Sequence, residues 1–98
     1  MFTLHIEHPI TGYAVWRQAF DRFADGRQRA GVQGHRVQSP TDDANYIVIE
    51  LDFPTSQQAE RFRDFLQEKV WSSSESAPGL AGAPQTRILE LIDHGWTD

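Results

Sequence analysis

Two stretches of the chain alternate between apolar and polar side chains with a period of two. In residues 2–8, Phe2, Leu4 and Ile6 alternate with polar residues. Residues 46–53 repeat the pattern, with an apolar residue at every odd position. Because successive side chains of a strand point to opposite faces, each stretch predicts a β-strand with two distinct faces.

Two amphipathic helices are predicted between the strands. The first begins near Gly12 or Tyr13, and Asp25-Gly26 weakens or ends it. The second begins after a stop and cap at residues 53–56 and ends around Trp71. Each carries an apolar stripe at three- and four-residue steps. The stripes are Tyr13, Trp16, Phe20 and Phe23 in the first helix, and Ala59, Phe62, Leu66 and Val70 in the second.

Two shorter strands complete the pattern. Residues 35–38 are followed by a turn at residues 39–45 that is rich in Pro, Asp and Asn, which predicts a hairpin with the strand after it. The last strand is predicted from Arg87 to about Asp93. The order strand-helix-strand-strand-helix-strand fills a single α+β domain, residues 1–98.

Both faces of the predicted sheet carry structured side chains. Two helices can cover only one face of four strands, so a second subunit is expected on the other face. The set predicted for that face is His5, Glu7, Tyr46, Glu50 and Glu90. A polar network that fixes the register of a dimer is the favoured interpretation. A site for Mn, Fe or Zn is the alternative, although no compact two-histidine spacing supports it.

Composition narrows the classes of partner. With 14 acidic and nine basic residues the formal net charge is −5, which argues against nucleic acid or an anionic membrane as a partner. The chain has no cysteine, and no segment approaches the ~18 apolar residues of a membrane span. No signal peptide is recognisable at the N-terminus. A cytoplasmic location is therefore expected.

The stretch 72–84 is rich in Ser, Ala, Gly and Pro and predicts a long loop. Loops of this length inside a compact domain are commonly functional, or they bind a partner.

Four segments together resemble a known family. They are residues 13–21, 31–37, 48–53 and 59–62. Over most of its length the chain resembles the dimeric α+β barrel superfamily, particularly small stand-alone domains of the antibiotic biosynthesis monooxygenase group. The resemblance implies a ferredoxin-like βαββαβ fold with a four-stranded antiparallel sheet. It also implies a homodimer in which two sheets meet face to face as a barrel.

In many relatives the ligand lies between the helices and the sheet, and the resemblance places seven residues of this chain there. His35 is the candidate acid-base residue and His8 its assistant, because imidazole titrates near neutral pH. The candidate substrate-binding residues are Tyr13, Trp16, Phe20, Phe62 and Trp71. The competing interpretation is structural: the aromatic stripes are core, and His8 is a solvated strand end.

Two hypotheses of function remain open. The first is a monooxygenase-like or cyclase-like enzyme that acts on a small aromatic or polyketide-type compound without a metal or organic cofactor. The second is a non-catalytic ligand-binding or accessory dimerisation module, with the 72–84 loop contacting a partner. The superfamily hosts several unrelated activities, so the fold alone does not choose between them. Haem-degrading members of the superfamily use Asn, Trp and His side chains together. The single asparagine of this chain, Asn45, lies in a predicted turn, so haem degradation is disfavoured.

Overall fold

The computed structural model describes residues 1–95, and the last three residues of the predicted domain lie outside them. Four antiparallel strands form one sheet in the order β2-β3-β1-β4, with helices on one face. The strands are β1 (Phe2–Pro9), β2 (Gly34–Gln38), β3 (Tyr46–Phe53) and β4 (Gln85–Glu90). The helices are α1 (Tyr13–Arg22), α2 (Ala24–Arg29) and α3 (Ser56–Phe65), and α3 continues into a π-helical turn, Leu66–Val70. The predicted ferredoxin-like α+β fold is confirmed.

Strand β1 lies in the interior of the sheet and sets its two faces. Leu4 is opposite Leu51 of β3 and Ile88 of β4, so these three side chains share the helix-covered face. Leu4 and Phe53 are fully buried there. Burying one such side chain stabilises the folded state by about 1.5–3 kcal/mol, so this face holds the fold together.

Thr55 caps helix α3, as the sequence predicts. Its side-chain oxygen accepts a hydrogen bond from the Gln58 backbone N–H at 3.2 Å. Gly12 precedes α1, and no side chain caps that helix. Gly31, shortly after α2, has a φ of 99°, a left-handed conformation that favours glycine.

Three further predictions need correction. The helix break lies at Phe23, and Asp25-Gly26 lies inside α2. Strand β4 begins at Gln85, two residues before the predicted start, and ends at Glu90. Glu90 is opposite Phe2 and therefore lies on the helix-covered face rather than the open one. The last strand is apolar on both sides, so its own pattern does not determine which face meets the helices.

The loop after the π-helical turn folds back onto its own domain. The Thr11 backbone N–H donates to the Gly79 carbonyl at 2.9 Å, and the Ala81 N–H donates to the Pro9 carbonyl at 3.2 Å. A Cβ atom added to Gly79 would lie 2.7 Å from the Cα of Trp16. Only glycine therefore allows the loop to approach α1 this closely.

Gly79→Ala is expected to lower the free energy of unfolding by about 1–3 kcal/mol, because the new methyl group meets helix backbone that cannot move aside. Urea unfolding followed by circular dichroism would measure the loss.

Gly26→Ala is the matched control. Gly26 lies in α2 with no atom within 4 Å of the added Cβ, and alanine favours helix over glycine by up to about 1 kcal/mol. Its stability should be unchanged or raised. An equal loss in both variants would contradict the assigned contact with α1.

Candidate functional site

A cavity of about 80 Å³ lies between the helices and the sheet. Ile6, Ile49 and Leu51 form its floor, and residues of all three helices, the π-helical turn and the loop form its walls. This volume is below the roughly 300–1,000 Å³ of typical small-molecule sites. A ligand with an aromatic ring can therefore bind only if part of the wall moves outward.

The structure brings five of the seven predicted site residues to this cavity. They are His8, Trp16, Phe20, Phe62 and Trp71. Tyr13 does not line it and is 50% exposed, with its ring 5.9 Å from that of Trp16. His35 does not line it either, because it lies exposed on the edge strand β2. The centre of its ring lies 5.3 Å from the centre of the Phe20 ring, in a T-shaped arrangement.

His8 is the titratable histidine of the cavity. It is only 3% exposed, so it is not the solvated strand end of the structural interpretation. Its Nδ1 lies 2.8 Å from the Pro9 carbonyl oxygen. A carbonyl can only accept, so Nδ1 carries the proton and Nε2 holds a lone pair in the neutral ring. Burial lowers the pKa of His8 and favours this neutral form.

Aromatic rings supply much of the cavity wall. Trp16 and Phe20 are stacked, with ring centroids 4.9 Å apart. On α3, the ring centroids of Phe62 and Phe65 lie 5.9 Å apart. Flat faces of this kind suit a planar apolar ligand, and they also pack well without one.

Arg27 is a cavity residue that the sequence analysis missed. It lies in α2, lines the cavity and is only 8% exposed. Its Nη1 donates to the Phe20 carbonyl, and its guanidinium carbon lies 3.6 Å from the centre of the Phe20 ring. Burial lowers its pKa. The spacing of the sequence could have identified Arg27, because it continues the stripe of Trp16, Phe20 and Phe23 by one further four-residue step.

The π-helical turn forms another part of the wall. The Trp71 backbone N–H donates to the Leu66 carbonyl at 2.7 Å, five residues back. Leu66, Val70 and Trp71 all line the cavity. Turns of this type are frequently found at functional sites, since they redirect side chains within a helix.

The open face of the sheet carries the predicted polar network. His5 lies between two carboxylates, with Nε2 2.7 Å from Glu7 and Nδ1 3.0 Å from Glu50. The Tyr46 hydroxyl donates to Glu7 at 2.8 Å. Hydrogen bonds to Glu50 and Glu7 raise the pKa of His5, and the bonds from His5 and Tyr46 lower the pKa of Glu7.

Arg36 extends this network across the sheet. It donates to Glu50 at 3.1 Å and to both carboxylate oxygens of Asp52 at 2.9 and 3.0 Å. Thr3 also donates to Asp52, at 2.9 Å. These bonds lower the pKa of Asp52, and those from His5 and Arg36 help to lower that of Glu50. Within residues 1–95, no cluster of His, Asp or Glu side chains has an arrangement that could hold a metal ion.

Known proteins resemble this chain in structure rather than in sequence. No family model matches it, and no curated protein does. SnoaB, a cofactor-independent oxygenase from Streptomyces nogalater, is 16% identical with a TM-score of 0.70, over 95% of this chain and 94% of that one. The monooxygenase ActVA-Orf6 of Streptomyces coelicolor, solved with nanaomycin D, is 19% identical with a TM-score of 0.64. The match covers 99% of this chain and 92% of that one.

A dimeric ferredoxin-like protein from an uncultured marine organism is 8% identical with a TM-score of 0.63, over 99% of this chain and all (100%) of that one. The structural likeness to antibiotic biosynthesis monooxygenase-like proteins that the sequence predicted is thereby confirmed. At these identities the likeness establishes the fold. No helix within residues 1–95 is long and apolar enough to span a membrane.

His5 should make stability depend on pH. Its folded-state pKa is raised above the ordinary value of about 6.5, so its contribution is fully present below that pH and is lost as pH rises through the folded-state pKa. The stability difference between the natural protein and His5→Gln should therefore be larger at about pH 6 than at about pH 9. Urea unfolding at one protein concentration would measure it.

Thr3→Val is the control within the same network. It removes a hydrogen bond to Asp52 but no titrating group, so its cost should be the same at both pH values. A cost of His5→Gln that does not change with pH would show that the two carboxylates do not hold the imidazolium.

Proposed function

We propose that this protein is a cofactor-independent, monooxygenase-like enzyme that binds a small aromatic or polyketide-type compound between its helices and sheet. The observation that carries the proposal is His8: a buried, neutral imidazole with a free lone pair in a cavity walled by aromatic rings. Such a group is suited to accept a proton from a bound phenol or anthrone.

The proposed reaction uses molecular oxygen as the oxidant. His8 Nε2 takes a proton from a ring CH₂ group that is activated by a neighbouring phenol, and the resulting carbanion bonds to O₂. The peroxide then takes that proton back from His8. Loss of the second C–H proton breaks the O–O bond, so the carbon becomes a carbonyl and water is released. The substrate supplies the electrons, so the residues named need only move protons and exclude solvent.

The comparisons support this choice of chemistry among those found on the fold. SnoaB is described as a cofactor-independent oxygenase, and ActVA-Orf6 as a monooxygenase with nanaomycin D bound. His8 replaces His35 as the proposed base, because His8 lines the cavity and His35 does not.

A second candidate is a binding module without catalysis. The small volume of the cavity and its single histidine favour this alternative. The two candidates differ in one measurable respect, since the binding module takes up an aromatic ligand such as nanaomycin D without consuming oxygen.

His8→Gln should lower the rate of oxygen consumption with anthrones by about 10²–10⁴-fold. Glutamine is similar in size to histidine but cannot accept a proton at neutral pH. An oxygen electrode and the absorbance of the quinone product would follow the reaction.

His35→Gln is the matched control and should keep most of the activity, because His35 lies outside the cavity. Equal rates in the natural protein and in His8→Gln would remove His8 from the reaction. Binding of nanaomycin D without oxygen uptake from any anthrone tested would favour the binding module.

We also propose that the protein is a homodimer that buries the open face of the sheet. That face carries the carboxylates of Glu7, Glu50 and Asp52 against Arg36 and Arg87, with His5 between them. When His5 is protonated, three negative charges meet three positive ones. A second copy would therefore meet little repulsion there, although the chain as a whole carries −5.

Apolar exposure on the same side supports a second copy as the occupant. Leu89 lies on the open face opposite Thr3 and is 39% exposed. One of the structures with this fold is described as dimeric.

Leu89→Glu should convert the dimer to a monomer in light scattering at micromolar concentration, because it places an unpaired carboxylate in the proposed interface. Val15→Glu is the control, since Val15 is similarly exposed, at 44%, but lies on α1. A monomeric natural protein, or a Leu89→Glu variant that remains dimeric, would refute this interface.

A further inference from the structure

We infer that Arg27 binds an anionic oxygen of the ligand, so that the cavity selects planar apolar compounds that carry a phenolate, enolate or carboxylate. The inference rests on the proposed function only in taking this cavity as the ligand site. It adds a chemical class of ligand and a residue that recognises it.

Arg27 forms no ion pair within the part of the chain that the structure describes. A buried guanidinium without a partner costs several kcal/mol, so buried arginines are normally paired. Within residues 1–95, no carboxylate lies within salt-bridge distance of Arg27. The nearby Asp21 is paired with Arg17, whose Nε lies 3.1 Å from its carboxylate.

Most of the hydrogen-bonding capacity of Arg27 is unused within residues 1–95. A guanidinium has five N–H donors in a rigid fork. Only Nη1 of Arg27 has an acceptor in the part of the chain described, the Phe20 carbonyl. The residue as a whole is more than nine-tenths buried and lines the cavity, but no enclosed side-chain nitrogen or oxygen within residues 1–95 lacks a partner. The remaining donors of Arg27 are therefore accessible to solvent or to a ligand. An anionic ligand oxygen would accept from these donors and would pair with the guanidinium charge directly.

The guanidinium of Arg27 is held in place by Phe20. The Phe20 carbonyl fixes one nitrogen, and the Phe20 ring lies 3.6 Å from the guanidinium carbon. Phe20 is itself stacked on Trp16. A cation fixed in this way loses little further freedom when a ligand binds.

A purely structural role is the rival interpretation. Arg27 donates to a carbonyl in the last turn of α1, where a positive charge is favourable. That role uses one donor and needs no ligand. It predicts a loss of stability in variants but no preference for anionic ligands, so the two interpretations can be separated by binding.

The test uses benzoate and benzamide, which share size and shape and differ in charge. Isothermal titration calorimetry of the natural protein should show benzoate bound about tenfold or more tightly than benzamide, because hydrogen bonds to charged groups are the stronger ones. Arg27→Met should abolish that preference and keep the affinity for benzamide. Arg29→Met should retain the preference, because it removes an exposed arginine from the same helix.

A second measurement does not depend on calorimetry. 4-Nitrophenol and its phenolate absorb at different wavelengths, so the pKa of the bound probe can be read directly. Binding to the natural protein should lower that pKa, Arg27→Lys should keep part of the effect, and Arg27→Met should lose it. If Arg27→Met fails to fold, the natural protein and Arg27→Lys still decide the question.

The outcomes separate this inference from the proposed function. Equal binding of benzoate and benzamide, with no change in the pKa of bound 4-nitrophenol, would overturn the role of Arg27 and leave the cavity as a site for neutral aromatics. An anion preference that survives Arg27→Met would also overturn it. If none of the three probes binds, the inference fails together with the ligand site on which it rests. Anion binding without oxygen uptake would uphold Arg27 and refute only the oxygenase.

Discussion

Strand β1 pairs with β3 on one side and β4 on the other, so the direction of its side chains fixes the two faces of the sheet. His8 follows Leu4 and Ile6 onto the helix-covered face, whereas His5 points to the open face. The two environments act on imidazole in opposite directions. Burial lowers the pKa of His8, and two carboxylates raise that of His5. A one-residue change of register would exchange these environments and expose the core.

The sequence could predict the parts of the fold that depend on local periodicity. The pattern over residues 46–53 matches β3 residue for residue, and the stripe of helix one brings Trp16 and Phe20 to the cavity. Glu90 was placed on the wrong face because a strand apolar on both sides does not reveal its register. His35 lies on the predicted, helix-covered face of the sheet but on an edge strand. Whether α1 covers that edge depends on packing, which local periodicity does not determine. Arg27 was missed because exposed arginines dominate its neighbourhood.

The cavity owes its small size to the segment that follows α3. The π-helical turn brings Leu66, Val70 and Trp71 to the wall, and the loop closes over them because Gly79 can approach Trp16. The loop is held to β1 and the segment after it by a few backbone hydrogen bonds. Strands β1 and β3 share a full ladder across buried side chains. Widening the cavity on the loop side therefore breaks fewer interactions than moving the sheet, and this is where a larger ligand would enter.

On the proposed assignment, proton transfer to His8 depends on the positive charge of Arg27. Burial disfavours the imidazolium form of His8, so proton transfer from the CH₂ group of a bound substrate to His8 would leave two poorly solvated charges in an apolar cavity. Arg27 already supplies a buried positive charge with free donors. A phenolate beside it is stabilised as it forms, which compensates for placing the proton on His8. A neutral base and a preorganised cation in one cavity thus make deprotonation feasible without a metal ion.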